Sequence, residues 1–222
     1  MRARILANRV NLKELIPVIL CMGIYIIVFY PSVFAEHINV PEKSGVAGNI
    51  TSKSYVSPQQ GEWRTEKSAY FDIYYRPDAK LKKIERKLRR RVGFYDRKDL
   101  STGFLNSIEK KIAYRMDLLF SRAKDILGMY PRVKGVKIMI LKDRKELNAE
   151  YYRIFGERQN FKSFYIYKHN TIYTTEKDIS DSVLAHEMGH VIVDHFFVVR
   201  PPEQVRELLA QYVDLHLEDA GY

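Results

Sequence analysis

Hydrophobic positions fall into a regular order from about Ser68 onward. Tyr70-Phe71-Asp72-Ile73-Tyr74-Tyr75 is dense in aromatic and β-branched residues and predicts a strand. Pro77-Asp78 then opens a helix whose apolar positions are Leu81, Ile84, Leu88 and Val92. A longer helix is expected from about Thr102 to Leu127. Ile108, Ile112, Met116, Leu119, Ala123 and Ile126 share one of its faces, and Gly128 stands where a C-cap belongs. Val136 to Leu141 is apolar with little alternation, as a strand covered on both faces would be. A helix from about Arg144 to Phe155 follows and is closed by Gly156. Ser163 to Tyr167 and Thr171 to Thr174 predict two strands joined around Lys168-His169-Asn170, because aromatic and β-branched residues flank a polar turn. Two helices end the pattern, from about Ile179 to Phe196 and from Glu203 to about Leu217, with Arg200-Pro201-Pro202 breaking the chain between them.

Ahead of this ordered stretch the pattern is of another kind. Residues 1–35 begin with a basic stretch through Lys13, continue with an uncharged run from Leu15 to Tyr30, and end on Val33-Phe34-Ala35 before Glu36. These three parts are those of a secretory signal, with small residues suited to cleavage after Ala35. An uncleaved anchor is the alternative, although 16 residues are few against the roughly 20 that a helix needs to cross a bilayer. Residues 36–67 are rich in Ser, Gly, Gln, Asn and Lys and read as a flexible tether. The domain is expected over 68–222.

Composition narrows the class. The chain has 222 residues and 46% hydrophobic content, enough for one packed domain. Its formal charge is +10, of which three belong to residues 1–35. The segment from Arg76 to Lys98 holds eleven Lys or Arg against Asp78, Glu85 and Asp96, so it accounts for the whole remaining surplus. Such a run is ordinarily a solvated helix face; as a functional surface it would meet anionic lipid head groups or an acidic envelope polymer. Nucleic acid is not expected as a partner after export. Cys21, inside the hydrophobic run, is the only cysteine, so the domain has no disulfide. The expected location is a bacterial periplasm or the extracellular space, with membrane attachment by the N-terminal segment as the variant.

The chemistry is concentrated in His186-Glu187-Met188-Gly189-His190. Histidines four apart on a helix share a face, with Cβ atoms about 5 to 6 Å apart, so two imidazoles can hold one zinc. Glu187 projects beside them, where a carboxylate can take a proton from an activated water without itself being a ligand. Val183, Leu184, Met188, Val191, Ile192 and Val193 surround the pair and predict a buried helix. Two buried core histidines satisfied by carbonyls would leave Glu187 unexplained; a metal accounts for all three.

A catalytic zinc needs a third protein ligand, and His195, Glu203, Glu207 and Asp214 are the downstream candidates. His195, five residues past His190, is rotated far around the same helix, and Val193 and Phe196 stand where a His-x-x-Gly-x-x-His continuation would need Gly and His. On the last helix Glu207, Gln211 and Asp214 form a polar stripe beside Leu208, Leu209, Tyr212, Val213 and Leu215, with Glu207 placed as an inward-facing ligand would be.

Val183 to His190 followed by Arg206-Glu207-Leu208-Leu209-Ala210-Gln211-Tyr212 resembles the gluzincin metallopeptidases, particularly the small peptidase-MA-like branch. The family segment often reads Ser-Glu-Gly-Leu-Ala-Glu-Tyr, which this chain matches at Glu207, Leu209, Ala210 and Tyr212. The resemblance implies an α+β, zincin-like (minigluzincin-type) domain: a small mixed sheet with an edge strand over the cleft, backed by helices that include the HExxH helix. It implies one zinc per chain held by His186, His190 and Glu207, Glu187 as general base, and Ser163 to Tyr167 as the edge strand against which a substrate backbone pairs. Peptide-bond hydrolysis is the implied reaction. An endopeptidase is favoured, since the Gly-x-Met-Glu-Asn segment of aminopeptidase relatives is lacking.

This chain departs from the pattern in two ways. Where thermolysin-like members carry an Asp that orients a zinc histidine, Gln211 stands, with its amide oxygen as a substitute acceptor; Asp194 and Asp214 are the other candidates for that supporting role. No single residue matches the oxyanion-stabilising Tyr or His of the family, and Tyr212, His216 and Tyr222 are the candidates. The competing class is a non-catalytic envelope binding module that retains the fold.

Overall fold

Along Phe71–Tyr75 every second residue is buried, and this alternation orients the whole sheet. Phe71, Ile73 and Tyr75 are covered, while Asp72 and Tyr74 are half-buried on the other side. The computed structural model describes residues 62–88 and 105–217. The predicted leader, most of the tether, Val92, the Thr102 helix start, residues 89–98 of the basic run and Tyr222 lie outside them.

Among the described residues, five strands form one mixed sheet in the order β1-β2-β3-β5-β4. They are β1 (Arg64–Lys67), β2 (Phe71–Tyr75), β3 (Val136–Leu141), β4 (Ser163–Ile166) and β5 (Thr171–Thr175). The central pairs β2·β3 and β3·β5 are parallel, and the outer pairs β1·β2 and β4·β5 are antiparallel. Registers pair Ile73 with Ile138, Ile138 with Ile172, and Ile172 with Tyr165, which puts them on one face. Met139, Tyr173 and Phe164 line the opposite face by the same rule. β3 and β5 are buried almost throughout, as the lack of alternation predicts.

Helices cover both faces: α1 (Leu81–Lys87), α2 (Ile108–Leu127), α3 (Arg144–Phe155), α4 (Asp181–Phe196) and α5 (Glu203–Leu215). Leu147 of α3 packs with Met139, Leu141, Phe164, Ile166 and Tyr173 on the second face. On the first face Phe120 of α2 meets Phe71 edge-on, with ring centroids 5.3 Å apart. A mixed sheet with helices on both sides is compatible with the expected α+β class.

Caps explain the helix bounds. Asp143 accepts from the Glu146 N–H and Gly156 takes a left-handed conformation with φ 73°, so α3 runs between the expected residues. α2 starts at Ile108, because Ser107 is extended and its hydroxyl accepts from the Lys110 N–H. Ser180 does the same for α4 through the Val183 N–H, leaving Ile179 outside the helix and fully buried.

One boundary differs from expectation. The sheet begins inside the presumed tether, since Arg64–Lys67 pairs with β2 from Arg64↔Tyr75 to Lys67↔Asp72. That strand is largely exposed and has no apolar alternation to reveal it. Its anchor is Trp63, which packs on the α3-facing core beneath the Arg76 guanidinium, 4.2 Å from the ring centre. Part of the basic segment is likewise engaged within the protein. Arg76 bridges Glu146 at 2.9 Å, and Lys87 donates to the carbonyls of Glu176 and Lys177. Lys82, Lys83 and Arg86 are exposed.

Candidate metal centre

Much of α4 is apolar. Leu184, Ala185, Met188, Val191, Ile192 and Val193 are fully buried, so Glu187 and Asp194 among them are held in a desolvated setting. His186 and His190 sit one turn apart on the side that faces α5. Gly189 lies between them, and its missing side chain lets Ala210 of α5 approach to van der Waals contact. That close crossing delivers Glu207 to the histidines.

The three side chains converge. His186 Nε2 and His190 Nε2 are 3.2 Å apart; Glu207 Oε1 is 3.6 Å from the first and Oε2 is 3.3 Å from the second. Ligands on a tetrahedral zinc, with bonds of about 2.0 to 2.1 Å, stand about 3.3 to 3.4 Å from one another. The observed triangle has that size. Hydrogen bonding alone accounts for it poorly, since an Nε2–H on one ring satisfies one neighbour and leaves the remaining lone pairs opposed. Two imidazole nitrogens and a carboxylate are a donor set that zinc accepts. The residues therefore fit the metal.

Electrostatics suits the same use. Burial, aided by His186, holds His190 below the ordinary imidazole range and against the pull of Glu207 and Asp194, a shift that favours the neutral ring a metal ligand needs. Burial alone would raise Glu207, but the Gln211 amide and the two imidazoles outweigh it and leave the carboxylate lowered.

Glu187 lies beside the triangle and does not belong to it. Burial pushes its carboxyl up to about 7; the Ser163 hydroxyl opposes this and the Glu207 charge reinforces it. Ser163 Oγ donates to Glu187 Oε1 at 2.6 Å. This contact was not anticipated from the sequence, because nothing local links two residues 24 positions apart. The one available signal was the alternation of the predicted strand, which puts Ser163 and Tyr165 on the same face of β4.

The supporting candidates are distributed differently from expectation. Gln211 turns its amide N–H to Glu207 Oε1 at 2.9 Å, so it steadies the carboxylate rather than an imidazole. A carboxylate only accepts, so the amide nitrogen must face it. Asp194 is fully buried and gives Oδ2 to Arg200 at 2.8 Å and to Arg206 at 3.5 Å. Among the described residues its Oδ1 has no hydrogen-bond partner, and neither has His190 Nδ1 one turn back. Asp214 lies two turns beyond Glu207, about 10 Å further along the helix axis. Tyr212 and His216 stack on each other at 3.9 Å, and His216 Nδ1 donates to the Tyr212 carbonyl.

The other ligand candidates are elsewhere. His195 Nε2 meets Asn170 Oδ1 and the Tyr165 hydroxyl, each at 3.2 Å, near the far end of α4. Glu203 is exposed, with Arg206 at 3.5 Å. Among the described residues the His186, His190 and Glu207 group is the one cluster of three able to hold a metal ion. Compared with protein-family models, curated proteins and solved structures, the chain matches none.

Proposed function

We propose that this chain is a zinc-dependent metallopeptidase of gluzincin type with a zincin-like (minigluzincin-type) domain, acting as an endopeptidase in the cell envelope. The observation that carries the reading is the division of labour on one helix pair. Three side chains converge at zinc-ligand spacing, and a buried carboxylate with raised proton affinity stands beside them without joining the triangle. A purely structural zinc has no use for that carboxylate.

His186, His190 and Glu207 would hold one zinc. When bound, zinc supplies Lewis-acid polarisation of a carbonyl and lowers the pKa of water towards about 7. Glu187 accepts the proton of the attacking water and delivers it to the leaving amine, a role for which a carboxyl near 7 is well matched. Among the described residues β4 is an edge strand, and its outer side would pair with an extended substrate backbone. The leader supports export, and Lys82, Lys83 and Arg86 support contact of the basic segment with an anionic surface.

The test is cleavage of an unfolded protein substrate by the zinc-loaded chain, abolished by a chelator and restored by zinc. Glu187→Gln should keep the metal and lose turnover by roughly 10² to 10⁴, the value of a general base. Equal cleavage by the Gln variant at matched zinc loading would overturn the mechanism. A parent that holds zinc and cleaves nothing would make the chain a binding module.

A further inference from the structure

Among the described residues, Ser163 is the only hydrogen-bond partner of the Glu187 carboxylate, and it bonds Oε1 alone. Glu187 is 5% exposed, so its two oxygens are in unlike settings: one is tied to the protein and the other is not. Ser163 is also the first residue of β4, the edge strand, and its own backbone is registered against Thr174 of β5. The same residue thus belongs to the strand where a substrate backbone would lie and touches the group proposed as the base.

We infer that Ser163 is a positioning residue that ties the edge strand to Glu187, holding Oε1 so that Oε2 is the oxygen left to exchange the proton. The inference deepens the peptidase reading and rests on it for the catalytic part, but the tie itself does not. The physical argument is one of orientation. A glutamate side chain has three rotatable bonds, and in a desolvated pocket a carboxylate without a donor turns to find one. A single hydroxyl donor, brought in by a strand rather than a mobile side chain of its own helix, restricts that search. Tyr165 makes a second tie two residues on, through His195 and Asn170. β4 is thereby fastened to α4 at two points on one face, while Phe164 and Ile166 pack into the core on the other.

Ser163→Ala and Ser163→Thr, made in the full chain and loaded with zinc, separate the possibilities. Zinc content should equal the parent's in both. In the Ala variant the β5-facing amides of β4 should exchange with deuterium faster, and kcat should fall about 10- to 100-fold, the worth of a hydrogen bond to a charged group, while KM changes little. Thr keeps the hydroxyl and should restore both readings. The inference is overturned if the Ala variant matches the parent in exchange and in kcat, or if Thr is as impaired as Ala. Should the parent turn over no peptide, the peptidase reading falls and takes the catalytic part with it, and the exchange comparison still decides whether the tie exists.

Discussion

Gly189 and Ala210 meet at the backbone: a Cβ on Gly189 would lie 2.8 Å from the Ala210 Cα and 3.3 Å from its Cβ. No real side chain fits there without moving a helix. The contact lies between His186 and His190 on one helix and three residues past Glu207 on the other, so it sets the distance across which the cluster closes.

Gly189→Ala should therefore separate two effects. An alanine in a helix interior is ordinarily better than glycine by about 1 kcal/mol. Here overpacking should reverse the sign and cost about 1 to 3 kcal/mol, and displacement of α5 should carry Glu207 away from the imidazoles. Melting with and without zinc measures both: the variant should melt below the parent in chelator and gain less than the parent from added zinc. An undiminished gain would show that α5 tolerates the extra methyl without moving the cluster.

Glu207→Ala removes one of the three converging ligands and should sharply weaken zinc retention, whereas His195→Ala and Glu203→Ala should leave it near the parent. Metal that binds only the folded chain stabilises it by mass action, so the zinc-dependent rise in melting temperature should shrink with the affinity. Metal analysis after dialysis reads the same difference directly. Full occupancy in the Glu207 variant would sink the ligand assignment.

Acid should loosen the junction between β5 and α3 and α4. Asp178 accepts from Arg144 Nε at 2.9 Å and Nη2 at 2.8 Å, and from the Thr175 hydroxyl at 2.9 Å. The Arg144 guanidinium holds its carboxyl below the usual carboxylate range, with the Thr175 hydroxyl adding to the effect and burial opposing it. A depressed folded-state value makes the bond stabilising above the unfolded pKa of about 3.9, and that contribution disappears as pH falls through the lower folded value. Denaturant unfolding of the parent and of Asp178→Asn from pH 7 to pH 2 should show a stability gap that closes at the acid end. A gap that is constant with pH would exclude ionisation of Asp178 as its source.

Much of this protein is legible residue by residue. α3 could be bounded from sequence because its periodicity ends on Gly156, and β3 because Val136–Leu141 is apolar without alternation. The pairing of His186 with His190 follows from helix pitch alone, since four residues return to the same face. The neighbouring Glu207 could be singled out by its place in a polar stripe on an otherwise apolar helix. All of these are statements about one element and its own repeat. What remained hidden depends on two elements meeting. β1 carries no pattern, and it is a strand because β2 offers it a ladder and Trp63 a place in the core. Gln211 turns to Glu207, Tyr212 to His216 and Ser163 to Glu187, and a polar side chain takes whichever partner the packing brings within about 3 Å. Periodicity tells a side chain which face it occupies. What that face touches is decided by the crossing of α4 on α5, where a missing Cβ at Gly189 allows the approach, and by the strand order that sets β4 against α4.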